Sequence, residues 1–580
     1  MECLESCRRP NKIFTKAIRV YDYRNTKKEK INIDYVVEEY LKSEDSEKII
    51  GHYIVTSHVK PKNIYTEKTD FLERYRSELI SLCKIFNSIP LPINIADQIP
   101  ELEEFFPFVL RFREEQKFEN IDSISYIFNE IENYFPVMNT REYGEYYSNE
   151  NLINILLDNL QTEINTSKKV IDPSSGAGFF LFHYVKRLIK NQPSTNELSV
   201  LRDNIFGHDI FPFPIIVSKI LVGKLIESYD NVFLNPYHLP NIKIQNTLKT
   251  LSCISNDNET FDLIIGNPPY FRIDPHEENN ICKCVSYGHN YIHNLFLHWS
   301  IQHLKANGEL GFIIPQSILS GFYYQKMRKE IMDNLSINLI ITNKEHEKSF
   351  SVQQDIMLLL ATKRNQIKNY IIGVSNSLLT DISKYSVDSN IFNNSLKVIP
   401  LFKNKNEYEN FIKLSQKPIV KHLSTFKIQT GNFVWNQNKE HCFYKKVPKS
   451  IPLINGPNIY SDGIDLENQR NSTFPYCIPK KSKYIKNDKL IIYRRMSPIG
   501  NIDRMIATII DNKDERFSNG YVLENHVNFI SGSESKLKDL LEFITTREFN
   551  DLINAFCHTN QVSSNDLKTI FELLSTFYND

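Results

Sequence analysis

The chain has 580 residues, and 69 Lys and Arg balance 69 Asp and Glu to a formal charge of zero, so any nucleic-acid contact must rest on local charge. Its 41% hydrophobic and 24% charged content is ordinary for a globular protein, and the length predicts two or three domains. Nine cysteines without a recurring CxxC exclude a disulfide scaffold and predict a reducing, cytoplasmic setting; no apolar run approaches membrane-spanning length, so no membrane partner is expected.

Residues 1–140 read as a mainly helical accessory domain. Leu72, Tyr75, Leu79, Leu82, Cys83 and Phe86 share one face of a helix expected over Thr69–Phe86, and Ser123–Tyr134 reads as another. Glu115, Gln116 and Lys117 have the E-x-K spacing of metal-dependent nucleases, with Asp97 upstream. They sit in the charged run RFREEQKFE, which reads better as a solvated helix face. From Arg141 a turn and a Ser148 N-cap introduce an amphipathic helix with Leu152, Ile155, Leu156 and Leu160 on one face.

KVIDPSSGAGFFL, Lys169–Leu181, reads as a strand, a small-residue turn and a helix. It is neither the dinucleotide fingerprint nor a phosphate-binding P-loop. Gly176 and Gly178 allow close backbone approach to a ligand, and Asp172 at the strand end offers a carboxylate to an ammonium group. NIFGHDI, Asn204–Ile210, ends a second strand on Asp209, placed to chelate two ribose hydroxyls. The polar stretch NQPSTNE between them reads as a linker, and IKIQNTL, Ile242–Leu248, as the third strand.

FDLIIGNPPYF, Phe261–Phe271, is the centre of the chain. Leu263, Ile264 and Ile265 suit a buried parallel strand, which Pro268 and Pro269 stop at its C-terminal end, the edge where open α/β sheets bind ligands. The Asn267 side-chain oxygen and the Pro268 carbonyl can accept both N–H bonds of an aromatic amine and draw its nitrogen toward tetrahedral geometry. Tyr270 can stack on the ring. Cys282, Cys284, His289 and His293 follow. A zinc reading is weak, because the C-x-C step is short and His289 and His293 are as easily a loop and a helix face, so no metal is expected. A helix over Tyr291–Leu304, a strand over Gly308–Pro315, a helix over Tyr323–Leu335 and strands at Asn338–Thr342 and Asp355–Thr362 complete the expected sheet. The last two have no helix between them and read as an antiparallel edge pair. Residues 364–420 read as a linker holding one helix, Asn406–Leu414. Between Lys480 and Arg495 seven basic residues meet one acid, Asp488, a local +6 suited to a phosphate backbone.

The N-P-P-Y of Asn267–Tyr270, with D-P-x-x-G-x-G-x-F at Asp172–Phe180 ahead of it, resembles the S-adenosylmethionine-dependent amino-methyltransferases. Within them it is similar to the type II, γ-like DNA adenine N6-methyltransferases. The resemblance covers roughly 141–580. It implies a Rossmann-like α/β methyltransferase sheet over 141–363, the linker 364–420 and an α+β DNA target-recognition domain over 421–580. The cofactor would be held by Tyr146, Tyr147 and Ser148 over its methionine end, by Asp172, Ser174, Gly176 and Gly178, by Asp209 and Ile210 at the ribose and adenine, and by Asn246 and Asn267. The family usually has Asp where Asn246 stands. Asn267, Pro268, Pro269 and Tyr270, with Phe350 facing the base, would be catalytic; Lys480, Lys481, Lys483, Arg494 and Arg495 would contact double-stranded DNA. A cognate restriction endonuclease is an expected partner. Protein glutamine N5-methyltransferases share NPPY but do not need the long C-terminal region. A catalytically dead DNA-binding module would not need intact motifs, and a fused nuclease is a variant of the first reading.

Overall fold

The computed structural model describes Gln98, Ile99 and most of residues 150–578; the longest stretches left out within that span are 249–258, 274–284 and 344–355. The expected helices before residue 140, the Glu115–Lys117 run, Tyr146, Tyr147, Ser148, Cys282, Cys284, His289 and Phe350 lie outside the described residues. The chain divides into two units, Met1–Ile314 with Glu330–Ile340 and Ile356–Gln366, and Pro315–Lys329 with Ile341–Asp355 and Ile367–Asp580.

The first unit opens with α1 (Glu150–Asp158), β1 (Val170–Asp172), α2 (Phe179–Lys190), α3 (Thr195–Asn204), β2 (Ile205–Asp209), α4 (Pro212–Tyr229), β3 (Ile242–Ile244) and β4 (Phe261–Gly266). A short pair, β5 (Arg272–Ile273) and β6 (Asn290–Tyr291), leads into α5 (Ile292–His303) and β7 (Leu304–Pro315). Then come α6 (Gln325–Asn334), β8 (Ser336–Asn343) and β9 (Ile356–Thr362).

These strands line up in the order β3-β2-β1-β4-β7-β9-β8. The pairs β3–β2, β2–β1, β1–β4 and β4–β7 are parallel. The apolar run of β4 is fully enclosed, with Leu263, Ile264 and Ile265 at 0% exposure, as a strand covered on both faces requires. The last strand, β9, is inserted between β7 and β8. Lys363, just past its end, donates its N–H to Gly308 O (2.9 Å) and accepts from Asn307 N–H (3.0 Å) near the start of β7, so β9 runs against β7. The expected edge pair is therefore an insertion, with β8 outside β9. This is the Rossmann-like sheet that the resemblance implies.

Two helices escaped the pattern. The stretch read as a polar linker caps α3: the Ser194 side chain accepts from Glu197 N–H while the Glu197 carboxylate accepts from Ser194 N–H at 2.7 Å. The helix α4 is apolar almost all round, so it shows no amphipathic stripe; Ile215, Ile216, Val217, Ile220 and Leu221 are all fully buried.

In the second unit, residues 364–420 hold more than the expected linker and helix. A hairpin of β10 (Asn369–Ser375) and β11 (Ile382–Asp388) precedes α7 (Lys405–Ser415). The Arg328 guanidinium, fully buried, donates to the carbonyls of Ile318, Gly321 and Leu396 and ties the 315–329 segment to this region. Next come β12 (Lys427–Thr430), β13 (Cys442–Phe443), β14 (Ile451–Ile454), β15 (Ile459–Tyr460), β16 (Gly463–Ile464), β17 (Tyr476–Cys477), β18 (Ile485–Lys486), β19 (Leu490–Arg494), β20 (Ala507–Ile510), β21 (Tyr521–Leu523) and β22 (Val527–Ser531). They form a four-stranded sheet, β12-β22-β19-β20, a five-stranded sheet, β13-β17-β14-β21-β18, and the small pair β15-β16. Helices α8 (Glu534–Ile544), α9 (Arg547–Phe556) and α10 (Ser564–Thr576) close the unit, giving the expected α+β character. No helix among the described residues is long and apolar enough to cross a membrane.

Candidate active site

Three neighbouring parallel strands bring the site together. Asp172 ends β1, Asp209 ends β2, and Asn267 follows the last residue of β4, so all three stand at one C-terminal sheet edge. Asp172 is 1% exposed and accepts from Ser174 N–H at 3.0 Å. Burial pushes its carboxyl pKa up from 3.8 to about 8, the Ser174 N–H opposing and the nearby Asp209 charge adding to the rise. A Cβ at Gly266 would come within 2.6 Å of Asp172 Oδ1, so the acid lies directly against the start of the N-P-P-Y loop. Asp209 Oδ2 accepts from Gly176 N–H at 3.1 Å, and Ser175 N–H is bound by His208 O at 2.8 Å. The turn is thus tied to the end of β2.

The two glycines of that turn differ. Gly176 (φ +50°) faces open space where a Cβ would stand. Gly178 (φ +80°) does not open toward a ligand: a Cβ there would lie 2.0 Å from Ser218 Oγ and 3.0 Å from Ser218 Cα, in α4. Its smallness serves helix packing. Gly178→Ala should therefore destabilise the protein by about 2–4 kcal/mol, adding a left-handed backbone cost to overpacking. Thermal melts check this, and pairing the change with Ser218→Gly should recover the packing share alone. An unchanged melting temperature in Gly178→Ala would contradict the close approach.

In the N-P-P-Y loop, Asn267, Pro269 and Tyr270 are half-buried and Pro268 is buried. The Tyr270 hydroxyl contacts Asn267 Oδ1 and lies 2.9 Å from Ile313 O at the end of β7. One hydroxyl proton serves two acceptors, so the loop is pinned to its own sheet and the Asn267 amide is oriented by the tyrosine three residues on. The Tyr270 ring meets His293 edge-on at 5.9 Å. His293 is 1% exposed, and burial lowers its pKa to about 3, so it is a neutral packing partner. No group of three or more His, Cys, Asp or Glu among the described residues is placed to hold a metal.

Sequence reasoning missed what stands behind the loop. Ile292 N–H donates to Phe271 O at 3.1 Å, so α5 starts on the residue after Tyr270. Its third residue, Asn294, is wholly buried with both amide atoms lacking a partner. Neither the Ile313 carbonyl nor this amide carries a local sequence signal. Asn246 is also differently engaged: its side-chain oxygen accepts from Leu248 N–H at 3.0 Å, closing the turn after β3, which ends at Ile244. Ile210, half-buried, follows Asp209 beyond the end of β2. The donor set suits a cationic, polyhydroxylated ligand. It offers two strand-end acids, a Gly176 cradle that leaves room, and a buried Ser174 Oγ with no partner.

In the second unit, the run 480–495 is not one free patch. Lys480 pairs with Glu440 (3.0 Å) and Lys489 with Asp511 (3.1 Å). Arg494 Nε donates to Ile459 O at 2.7 Å with its guanidinium 5.0 Å from the Tyr460 ring centre. Arg495 Nε donates to Gln561 Oε1 at 3.2 Å. Both arginines are half-buried and used within the fold, whereas Lys481 and Lys483 are exposed.

Residues 178–350 match the family model described as Eco57I restriction-modification methylase. The chain is 25% identical over 210 residues to the type II methyltransferase M.PstI of Providencia stuartii, covering 35% of this chain and 41% of that one. It is 25% identical over 317 residues to the type II restriction enzyme and methyltransferase RM.Eco57I of Escherichia coli (50% and 29%), and 20% identical over 461 residues to the type II methyltransferase M.BsuBI of Bacillus subtilis (74% and 88%). The matched stretch spans less than half the length of the first two. Over residues 178–350 the chain carries an Eco57I-type restriction-modification methylase domain, of the kind found in type II methyltransferases.

Proposed function

We propose that this chain is a site-specific DNA adenine N6-methyltransferase of a restriction-modification system, with S-adenosylmethionine as methyl donor. The observation that carries the reading is the Asn267 amide, oriented by Tyr270 at the sheet edge beside Asp172 and Asp209. When bound, the cofactor supplies an electrophilic methyl group. Asp172 would hold its ammonium and Asp209 its ribose hydroxyls, across the turn that contains Ser174 and Gly176. Asn267 Oδ1 and the Pro268 carbonyl would accept the two N–H bonds of adenine N6, localising the nitrogen lone pair for attack. The Tyr270 ring would stack on a base rotated out of the duplex, with Phe350 as the expected opposite face. Residues 421–580 would recognise the target, and a restriction endonuclease, separate or fused, would share it.

Incubation with radiolabelled S-adenosylmethionine and either duplex DNA or a protein extract tests this. Label on N6-methyladenine supports the reading. Label on protein glutamine, with none on DNA, overturns it in favour of the other chemistry that uses this loop.

A further inference from the structure

We propose that duplex DNA docks on an aromatic and lysine-rich face of the five-stranded sheet, centred on Tyr444. This deepens the functional reading and rests on it for the identity of the partner. The antiparallel register of β13 and β17 sets Cys442 opposite Cys477 and Phe443 opposite Tyr476. The next residue outward, Tyr444, lies against Phe474, with ring centres 4.4 Å apart. Trp435 meets the same Phe474 at 5.7 Å, and Lys439 Nζ stands 5.5 Å from the Trp435 ring centre. Beneath them Trp435 and Phe474 pack on a buried cluster that includes Phe433, Leu453 and Val522. The platform is therefore firmly backed, yet Tyr444 is 48% exposed.

Positive charge borders it. Residues 435–449 contain four lysines and one acid, Glu440, in a chain of zero net charge, and Lys480 reaches Glu440 at 3.0 Å. Lys445 and Lys446, beside Tyr444, are exposed. The ion pair of Lys480 with Glu440 has both side chains more than half exposed, so phosphate competes with it readily. A rigid exposed ring bordered by lysines matches a nucleic acid on both counts: phosphates neutralise the cations and a base step takes the ring. Arg494 and Arg495 do not offer this, being engaged within the fold.

The test is fluorescence anisotropy of the full chain with labelled duplex across a salt series, alongside cofactor calorimetry and thermal melts. The double reversal Lys445→Glu with Lys446→Glu should weaken duplex binding at least tenfold. It should also make the slope of log affinity against log salt shallower by about two, one per lost phosphate contact. Tyr444→Ala should weaken binding about five- to hundredfold with the salt slope unchanged. Cofactor affinity and melting temperature should stay as in the wild type. If the wild type methylates and binds duplex and both variants bind it equally well, this face is not the docking surface while the functional reading stands. A wild type that transfers no methyl to DNA fails that reading, and the partner named here with it. Preference for single strands over duplex overturns the choice of partner.

Discussion

Asn267→Ala should lower the single-turnover rate of methyl transfer by on the order of 10²–10³, the usual loss when one preorganised hydrogen-bond partner is removed from a transition state. DNA affinity should change little, because toward the substrate the amide acts as the amine nitrogen rehybridises. The geometry adds a second arm. The Tyr270 hydroxyl holds Asn267 Oδ1, and an amide oxygen has a second lone pair left for the substrate N–H. Tyr270→Phe keeps the ring that would stack on the base and removes only the orienting hydroxyl. It should cost roughly tenfold in rate with KM unchanged, the pattern of lost transition-state stabilisation. Tyr270→Ala, by contrast, should be partly rescued by a mismatch opposite the adenine, since such a base leaves the stack at lower cost. Single-turnover methylation of matched and mismatched duplexes separates these. A Tyr270→Phe variant as fast as the wild type would mean that the hydroxyl does not position the amide. Rescue of Asn267→Ala by a mismatch would place its defect in base flipping.

The sheet was legible because its signals are local. The apolar run Leu263–Ile265, stopped by two prolines, announced β4, and the observed strand ends at Gly266, one residue before the expected loop. The turn after β1 and the acid ending β2 were equally plain, since small residues and a strand-end carboxylate lie together in sequence. What failed was non-local. Gly178 looked like a ligand-facing glycine, but its constraint comes from Ser218, forty residues on. The Asn246 oxygen accepts from Leu248 N–H and keeps a second lone pair, and no residue count reveals which way an amide turns. The basic run 480–495 counted as one patch in one dimension. In three dimensions Arg494 and Arg495 are tied to Ile459 and Gln561, Lys489 pairs with Asp511, and Lys480 reaches back to Glu440 among the lysines of 435–449. The apolar helix α4 hid because full burial erases the amphipathic period that betrays a helix.

Cofactor affinity should rise about tenfold per pH unit from pH 6 to near pH 8, and Asp172 should be the cause. In the cofactor-free protein this carboxyl, 1% exposed, has its pKa pushed up to about 8 by burial, so it is mostly protonated at neutral pH. An ammonium group favours the carboxylate, so binding below pH 8 must expel a proton, and affinity falls as the proton becomes harder to lose. Above about pH 8 the ligand's own amine begins to deprotonate, which caps the gain. The linkage to folding has the opposite consequence for stability. The folded pKa lies above the unfolded 3.8, so this acid's contribution is fully present below pH 3.8 and is lost as pH rises toward 8. At pH 7 the buried acid thus costs the empty protein a few kcal/mol. Asp172→Asn should remove that cost, keep an oxygen for Ser174 N–H and raise the melting temperature by several degrees. It should also weaken cofactor binding and flatten its pH dependence. Calorimetry from pH 6 to 8.5, in buffers of different ionisation enthalpy, reads both the affinity and the proton released. If wild-type binding is independent of pH and releases no proton, Asp172 is not the group that meets the ammonium. If Asp172→Asn melts lower than the wild type, burial of this carboxyl is not a cost that the fold carries for its ligand.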